Sequence, residues 1–309
     1  MITSSEIVRI MKNIYDTFTK TQFVGATTNY TQKNRGMGFA RSICNTKAKL
    51  AINRKINKNL TEVIEVKCAL ASMGFINENL QYNKKVIIDT MIAYSAKADI
   101  VIFGEAFLQG FYGATFDVEH DTEIAVSLHD PIIKEICSVA KQYAIAVSFG
   151  FIEKTQKYFY SSQITIDANG IVIDIYHRVS SGWKEPFANK QYREGNGFHS
   201  FNFMGKKVVI GLCGDLWYDE NVDRVNRLNP DVVFWPVYTD FNSNEWNTSE
   251  KYEYASQASK FCDMVLYVNS VCKDKEGVEI ARGGSAFFEN GNIRQETPSG
   301  KEAILLVEI

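Results

Sequence analysis

The chain has 309 residues, 45% of them hydrophobic, which is enough for one large core or two modest ones. Its formal net charge of −2 gives no overall signal for nucleic acid. Six scattered cysteines (Cys44, Cys68, Cys137, Cys213, Cys262, Cys272) without a C-x-x-C pair argue against a zinc site and a disulfide framework, and four histidines without an H-x-x-x-H or H-x-H pair give little support to a metal enzyme.

The first 60 residues differ from the rest. They hold eleven of the 34 basic residues and two of the 36 acidic ones, Glu6 and Asp16. Ser4 and Ser5 followed by Ile7, Ile10, Met11, Ile14 and Phe18 predict one amphipathic helix with a serine cap. Residues 19–58 are polar with little periodicity. Residues 1–60 therefore read as a basic extension, either an arm for an anionic partner or a tail against the chain's own acidic body. The start of the chain lacks an apolar run with a small-residue cleavage site, and no run approaches 18 apolar residues. A cytoplasmic location, with no membrane and no nucleic-acid partner, is the expectation.

Regular structure is expected over residues 61–309. Residues 66–73 read as a strand, and 79–97 as a helix with one apolar face through Leu80, Val86, Ile87, Met91, Ile92 and Ala96. Residues 99–105 form an apolar strand that ends on a carboxylate, Glu105. Phe107, Phe111 and Tyr112 follow it, so Glu105 reads as a proton carrier in an apolar setting, or else as an exposed strand-end charge. Residues 130–143 predict a helix with Pro131 in its first turn. Strands are expected at 144–151, 158–167 and 171–176, the last two joined by the turn Asp167-Ala168-Asn169-Gly170. The loop from His177 to Pro186 concentrates Arg178, Trp183, Lys184 and Glu185.

Two strands, 198–203 and 207–212, lead to Gly211-Leu212-Cys213-Gly214-Asp215. A thiol at the end of a buried strand, beside the bare N–H of Gly214, reads as a nucleophile with half an oxyanion hole. The same residue also reads as a small core cysteine. Strands at 231–236, 264–270, 284–288 and 303–309 and a helix at 247–261 complete the pattern. Alternating strands and helices predict an α/β fold with active groups at strand ends. Neither a G-x-G-x-x-G after the first strand nor a Walker A motif is present, so nucleotide binding has little support.

In this order the motifs resemble those of the nitrilase or carbon–nitrogen hydrolase superfamily, from about residue 65 to 309. Ile100-Val101-Ile102-Phe103-Gly104-Glu105 resembles its first motif, which ends on a general base. Gly170-Ile171-Val172-Ile173-Asp174-Ile175-Tyr176-His177-Arg178 resembles the second, which leads to a catalytic Lys. Gly211-Leu212-Cys213-Gly214-Asp215-Leu216-Trp217 resembles the third, which holds the nucleophile. The resemblance implies a four-layer αββα sandwich of two mixed β-sheets, paired into a homodimer, and a Glu-Lys-Cys site without metal or other cofactor. It implies hydrolysis of a small linear amide or N-carbamoyl amine through a Cys213 thioester.

One position departs from the pattern: Arg178 stands where Lys is expected. Lys184 is therefore taken as the catalytic ammonium and Arg178 as its carboxylate-pairing neighbour, with Arg178 as oxyanion cation the alternative. Glu185, or else Glu194, is expected to orient the Lys. Gly214 is the backbone oxyanion donor, and Phe111, Tyr112, Trp183, Trp217 and Trp235 are expected to wall the substrate pocket. The rival function is a catalytically impaired binding protein that kept the fold.

Overall fold

The computed structural model describes residues 65–274 and 280–309. The basic segment before residue 60, with its expected helix, lies outside the described residues.

The first sheet contains β1 (Lys67–Ser72), β3 (Ile100–Phe103), β4 (Ala146–Lys154), β5 (Phe159–Ile166), β6 (Val172–His177) and β14 (Ala303–Glu308). Its order is β14-β1-β3-β4-β5-β6. The second contains β7 (Ser200–Phe203), β8 (Lys206–Ile210), β9 (Val232–Val237), β10 (Met264–Asn269), β12 (Ser285–Glu289) and β13 (Asn292–Thr297), in the order β13-β12-β10-β9-β8-β7. Both sheets are mixed. The pairs β1–β3, β3–β4, β8–β9 and β9–β10 run parallel, and antiparallel strands flank them. A short pair, β2 (Gly74–Phe75) with β11 (Val271–Cys272), lies apart from both.

The expected αββα layering is present, and the period-two alternation of the strands builds it. Cys68, Leu70, Ile100 and Ile102 of the first sheet share a core with Val208, Ile210, Val232 and Phe234 of the second. The intervening residues Ala69, Val101 and Phe103 pack instead with α1 (Leu80–Tyr94) and α3 (Pro131–Tyr143), through Ile87, Met91, Ile133 and Ile136. On the far side Val209, Val233, Trp235 and Tyr267 pack with α4 (Asp219–Leu228) and α6 (Lys251–Ala258), through Val222, Val225, Tyr254 and Ala258. Each fully buried Val, Leu, Ile or Phe contributes roughly 1.5–3 kcal/mol relative to exposure. The central strands are apolar on both faces because both faces are covered.

Local capping fixes the helix ends. Asn79 Oδ1 accepts from Tyr82 N at the start of α1, and Asp130 Oδ1 accepts from Ile132 N at the start of α3, where Pro131 occupies the first turn. The helix expected at 247–261 begins earlier, with α5 (Ser243–Glu245), and passes through a π turn, Trp246–Glu250, into α6. Two helices carried no expectation. α4 exposes most of its polar side chains and buries only Asn221, Val222 and Val225, and α2 (Val118–Ile124) is two turns long.

Candidate active site

The carboxyl ends of β3 and β9 meet where the sheets converge, with Glu105 N donating to Val237 O at 3.2 Å. The backbone of β4 crosses the same point. A Cβ on Gly150 would overlap Ala106 N and crowd Glu105 C, so glycine there is what lets β4 approach the carboxylate-bearing residue. Ala106, the residue after Glu105, has φ +51°, and Cys213 has φ +46°. Non-glycine residues held in this left-handed region carry about 1–3 kcal/mol of strain each, and such residues concentrate at functional sites.

Glu105 is fully buried. Its Oε1 accepts from Ser161 Oγ at 3.0 Å and from Arg178 Nη1 at 2.8 Å, while Oε2 has no partner among the described residues. Arg178, at the end of β6, is 4% exposed. Its Nε donates to Ser180 Oγ at 3.0 Å. Its Nη2 is wedged between two glycines: a Cβ on Gly182 or on Gly214 would lie 3.1 Å away. Burial works to lower the Arg178 pKa, but the charges of Glu105, Cys213 and Asp215 outweigh it and raise the pKa further, so the guanidinium stays charged.

Cys213 opens a 3₁₀ turn, Cys213–Trp217, and is half-buried. Its Sγ–H donates to Tyr238 O at 3.3 Å, and its own carbonyl accepts from Trp235 Nε1 at 2.8 Å. Burial pushes the thiol up to about 12. Arg178 pulls it back down, and the Glu105 carboxylate pushes it up again. The resting sulfur is therefore a thiol at neutral pH and needs a local acceptor to become a nucleophile.

Asp215 was given no role in the sequence, yet it joins the two loops of the site. It is fully buried. Its carboxylate accepts from Leu212 N at 3.1 Å, Ser180 N at 2.7 Å and Tyr176 OH at 2.6 Å, with Val179 N at 3.4 Å. One side chain thus ties the turn bearing Cys213 to the segment bearing Arg178. Burial raises the Asp215 pKa, against the lowering effect of Arg178, Ser180 and Tyr176.

The structure brings Glu105, Arg178, Cys213 and Gly214 together. It does not bring Lys184 to them: the Lys184 ammonium pairs with Glu194 at 2.5 Å and donates to Tyr192 O at 3.1 Å. Glu185 is exposed on the same loop and holds no charge partner there. A short 3₁₀ turn, Ser181–Trp183, separates Lys184 from Arg178. Phe111 stacks on Tyr238 at 4.3 Å, and Tyr112 meets the same ring edge-on at 5.7 Å, so both stand beside the residue whose carbonyl holds the thiol. Trp183 is buried against Phe116 and Tyr192. Trp217 and Trp235 belong to the outer layer under α6, where both rings pack on Tyr254. Trp217 is 40% exposed, and Trp235 is fully buried, reaching the site only through its indole N–H.

Two mixed sheets between helical layers thus place an acid, a cation and a thiol at converging strand ends. Residues 47–309 match the sequence model of the family described as Carbon-nitrogen hydrolase, and the chain belongs to that family. The match begins earlier than the motifs, inside the basic segment. The chain is 22% identical over 228 residues to an (R)-stereoselective amidase from Pseudomonas sp., covering 74% of this chain and 79% of that one. It is 22% identical over 232 residues to an N-carbamoylputrescine amidase from Oryza sativa subsp. japonica, covering 73% and 75%. Its fold is similar to that of a crystal structure of an amidase from Nesterenkonia sp., with a TM-score of 0.62 at 16% identity over 79% of this chain and 90% of that one. Among the described residues no helix is long and apolar enough to cross a membrane.

Proposed function

We propose that the protein hydrolyses a linear amide or N-carbamoyl amine through a thioester on Cys213, with Glu105 as the proton carrier and Arg178 as the fixed cation. The observation that carries this reading is the Glu105–Arg178 pair itself: one carboxylate oxygen is held at 2.8 Å by the guanidinium and the other has no partner among the described residues. In the reading, Glu105 Oε2 takes the proton of Cys213 Sγ as the sulfur bonds to the substrate carbonyl carbon. The developing oxyanion is held by the Gly214 N–H and the Arg178 guanidinium. When the carbon–nitrogen bond breaks, Glu105 returns its proton to the departing nitrogen. Water then attacks the thioester, gives a proton to Glu105, and the carbon–sulfur bond breaks with the sulfur reprotonated. Arginine stays charged throughout, so it stabilises charge without moving a proton.

The test pairs ammonia release with thiol chemistry. A screen of small amides and N-carbamoyl amines is expected to yield ammonia with at least one of them. Iodoacetamide is expected to modify Cys213 at a rate that climbs about tenfold per pH unit from 7 to 10 without a plateau, because the thiol is pushed up to about 12. A plateau below pH 9 would mean a thiol with an ordinary pKa. No release with any substrate would favour the binding-protein alternative.

We further propose that two copies pair through the helical layer beside the site. Trp217 and Tyr218 stand exposed at the start of α4, and Tyr252 on α6. Sedimentation velocity is expected to show a dimer at micromolar concentration that Tyr252→Glu weakens. A wild-type monomer under these conditions refutes the pairing.

A further inference from the structure

A further buried carboxylate anchors the loop that follows the cation. Asp121, on α2, is fully buried, and its two oxygens are heavily used. Oδ1 accepts from Thr115 N, Thr115 Oγ1 and His120 Nδ1, each at 2.9 Å. Oδ2 accepts from Phe116 N at 2.9 Å and from Tyr192 OH at 2.7 Å. The first four contacts build the turn into α2. The fifth reaches a different loop, residues 181–193, more than 70 positions on in the chain.

Tyr192 is 1% exposed in an otherwise aromatic nest. It stacks on Phe159 at 5.0 Å and meets Phe116 at 5.1 Å and Trp183 at 6.2 Å. Packing alone would be served by phenylalanine. A buried hydroxyl matched to a buried carboxylate adds direction, because an unmatched group at either end is heavily penalised. The Tyr192 backbone carbonyl also holds Lys184. Tyr192 therefore holds the loop at Trp183 and Lys184, and Trp183 directly follows Gly182, where an added Cβ would lie 3.1 Å from Arg178 Nη2.

We propose that Asp121 and Tyr192 are positioning residues for Arg178: their hydroxyl–carboxylate clasp locks loop 181–193 to α2 and so sets where the guanidinium stands relative to Cys213. The proposal rests on the reading of Arg178 as the site's cation. Neither residue touches substrate. Loosening the clasp lets Trp183 and Gly182 draw away, and the guanidinium loses the wall that presses it toward Gly214.

The test is a double-mutant cycle read by iodoacetamide modification of Cys213 at one pH, with turnover measured alongside. Tyr192→Phe keeps the ring and its packing. It is expected to slow modification about tenfold, the equivalent of one pKa unit on the thiol. In an Arg178→Lys background, where no Nη2 lies against Gly182, the same change is expected to have an effect within about twofold. Asp121→Asn turns an amide NH2 toward the backbone N–H of Thr115 or Phe116, and is expected to slow modification at least as much as Tyr192→Phe in the parent and by no more than about twofold in the Arg178→Lys background. An equal loss from Tyr192→Phe in both backgrounds, or no loss in the parent, overturns the proposal. So does an Asp121→Asn variant that is modified at the parent rate. If Arg178→Lys by itself leaves Cys213 modification unchanged, the underlying reading of the cation fails, a result separable from failure of the clasp.

Discussion

Cys213→Ala is expected to remove turnover, by roughly 10³–10⁶ in kcat, on the scale seen when a covalent nucleophile is deleted. The fold should be nearly indifferent. The side chain makes one hydrogen bond, a weak thiol donation to Tyr238 O, and stands half-buried. Cys213→Gly sharpens the test. Cys213 sits at φ +46°, a conformation that glycine adopts freely. Glycine should relieve about 1 kcal/mol of backbone strain, offset in part by its greater freedom in the unfolded chain. The glycine variant is therefore expected to be as inactive as the alanine one and to melt at a temperature no lower. An active Cys213→Ala enzyme would end the thioester reading. A Cys213→Gly variant that melts well below Cys213→Ala would show that the left-handed backbone is not strained.

The second large effect falls on the cation. Arg178→Met is expected to lower kcat by about 10²–10³, the loss typical of one oxyanion-stabilising group. It should also destabilise the protein by about 3–5 kcal/mol, because Glu105 would be left as a buried charge with Ser161 as its one remaining partner. Lys184→Met is expected to change kcat by less than about threefold. Its ammonium is partly exposed and already committed to Glu194, and exposed pairs of this kind contribute about 0.2–1 kcal/mol. The contrast discriminates. Full activity in Arg178→Met together with a collapse in Lys184→Met would return the catalytic role to Lys184.

The architecture was readable because it rests on alternation. Ile100 to Phe103 and Val208 to Ile210 are apolar in every position, so a covered sheet followed, and the residues that interrupt each run at its end, Glu105 and Cys213, stood out as chemistry. The choice between Arg178 and Lys184 was not readable. Arg178 and Lys184 stand in one loop, and spacing alone does not say which of them meets Glu105 and which meets Glu194 and the Tyr192 carbonyl. Asp215 was hidden for the same reason: its value lies in meeting Tyr176 and Ser180, which no linear spacing announces. Trp235 shows a different limit. Phe234 faces the other sheet and Trp235 faces the helices, yet a strand apolar on both sides gives no clue to which parity is which. Ala106 at φ +51° was invisible because alanine ordinarily signals nothing about backbone handedness.

The arginine has one more consequence. Lysine in a buried site can surrender its proton, so a Glu-Lys-Cys arrangement has three bodies among which protons are distributed. Arg178 carries a permanent charge, made more permanent by Glu105. In the proposed reading the hydrogen that moves is the thiol's, passing to one carboxylate while the cation beside them never gives one up.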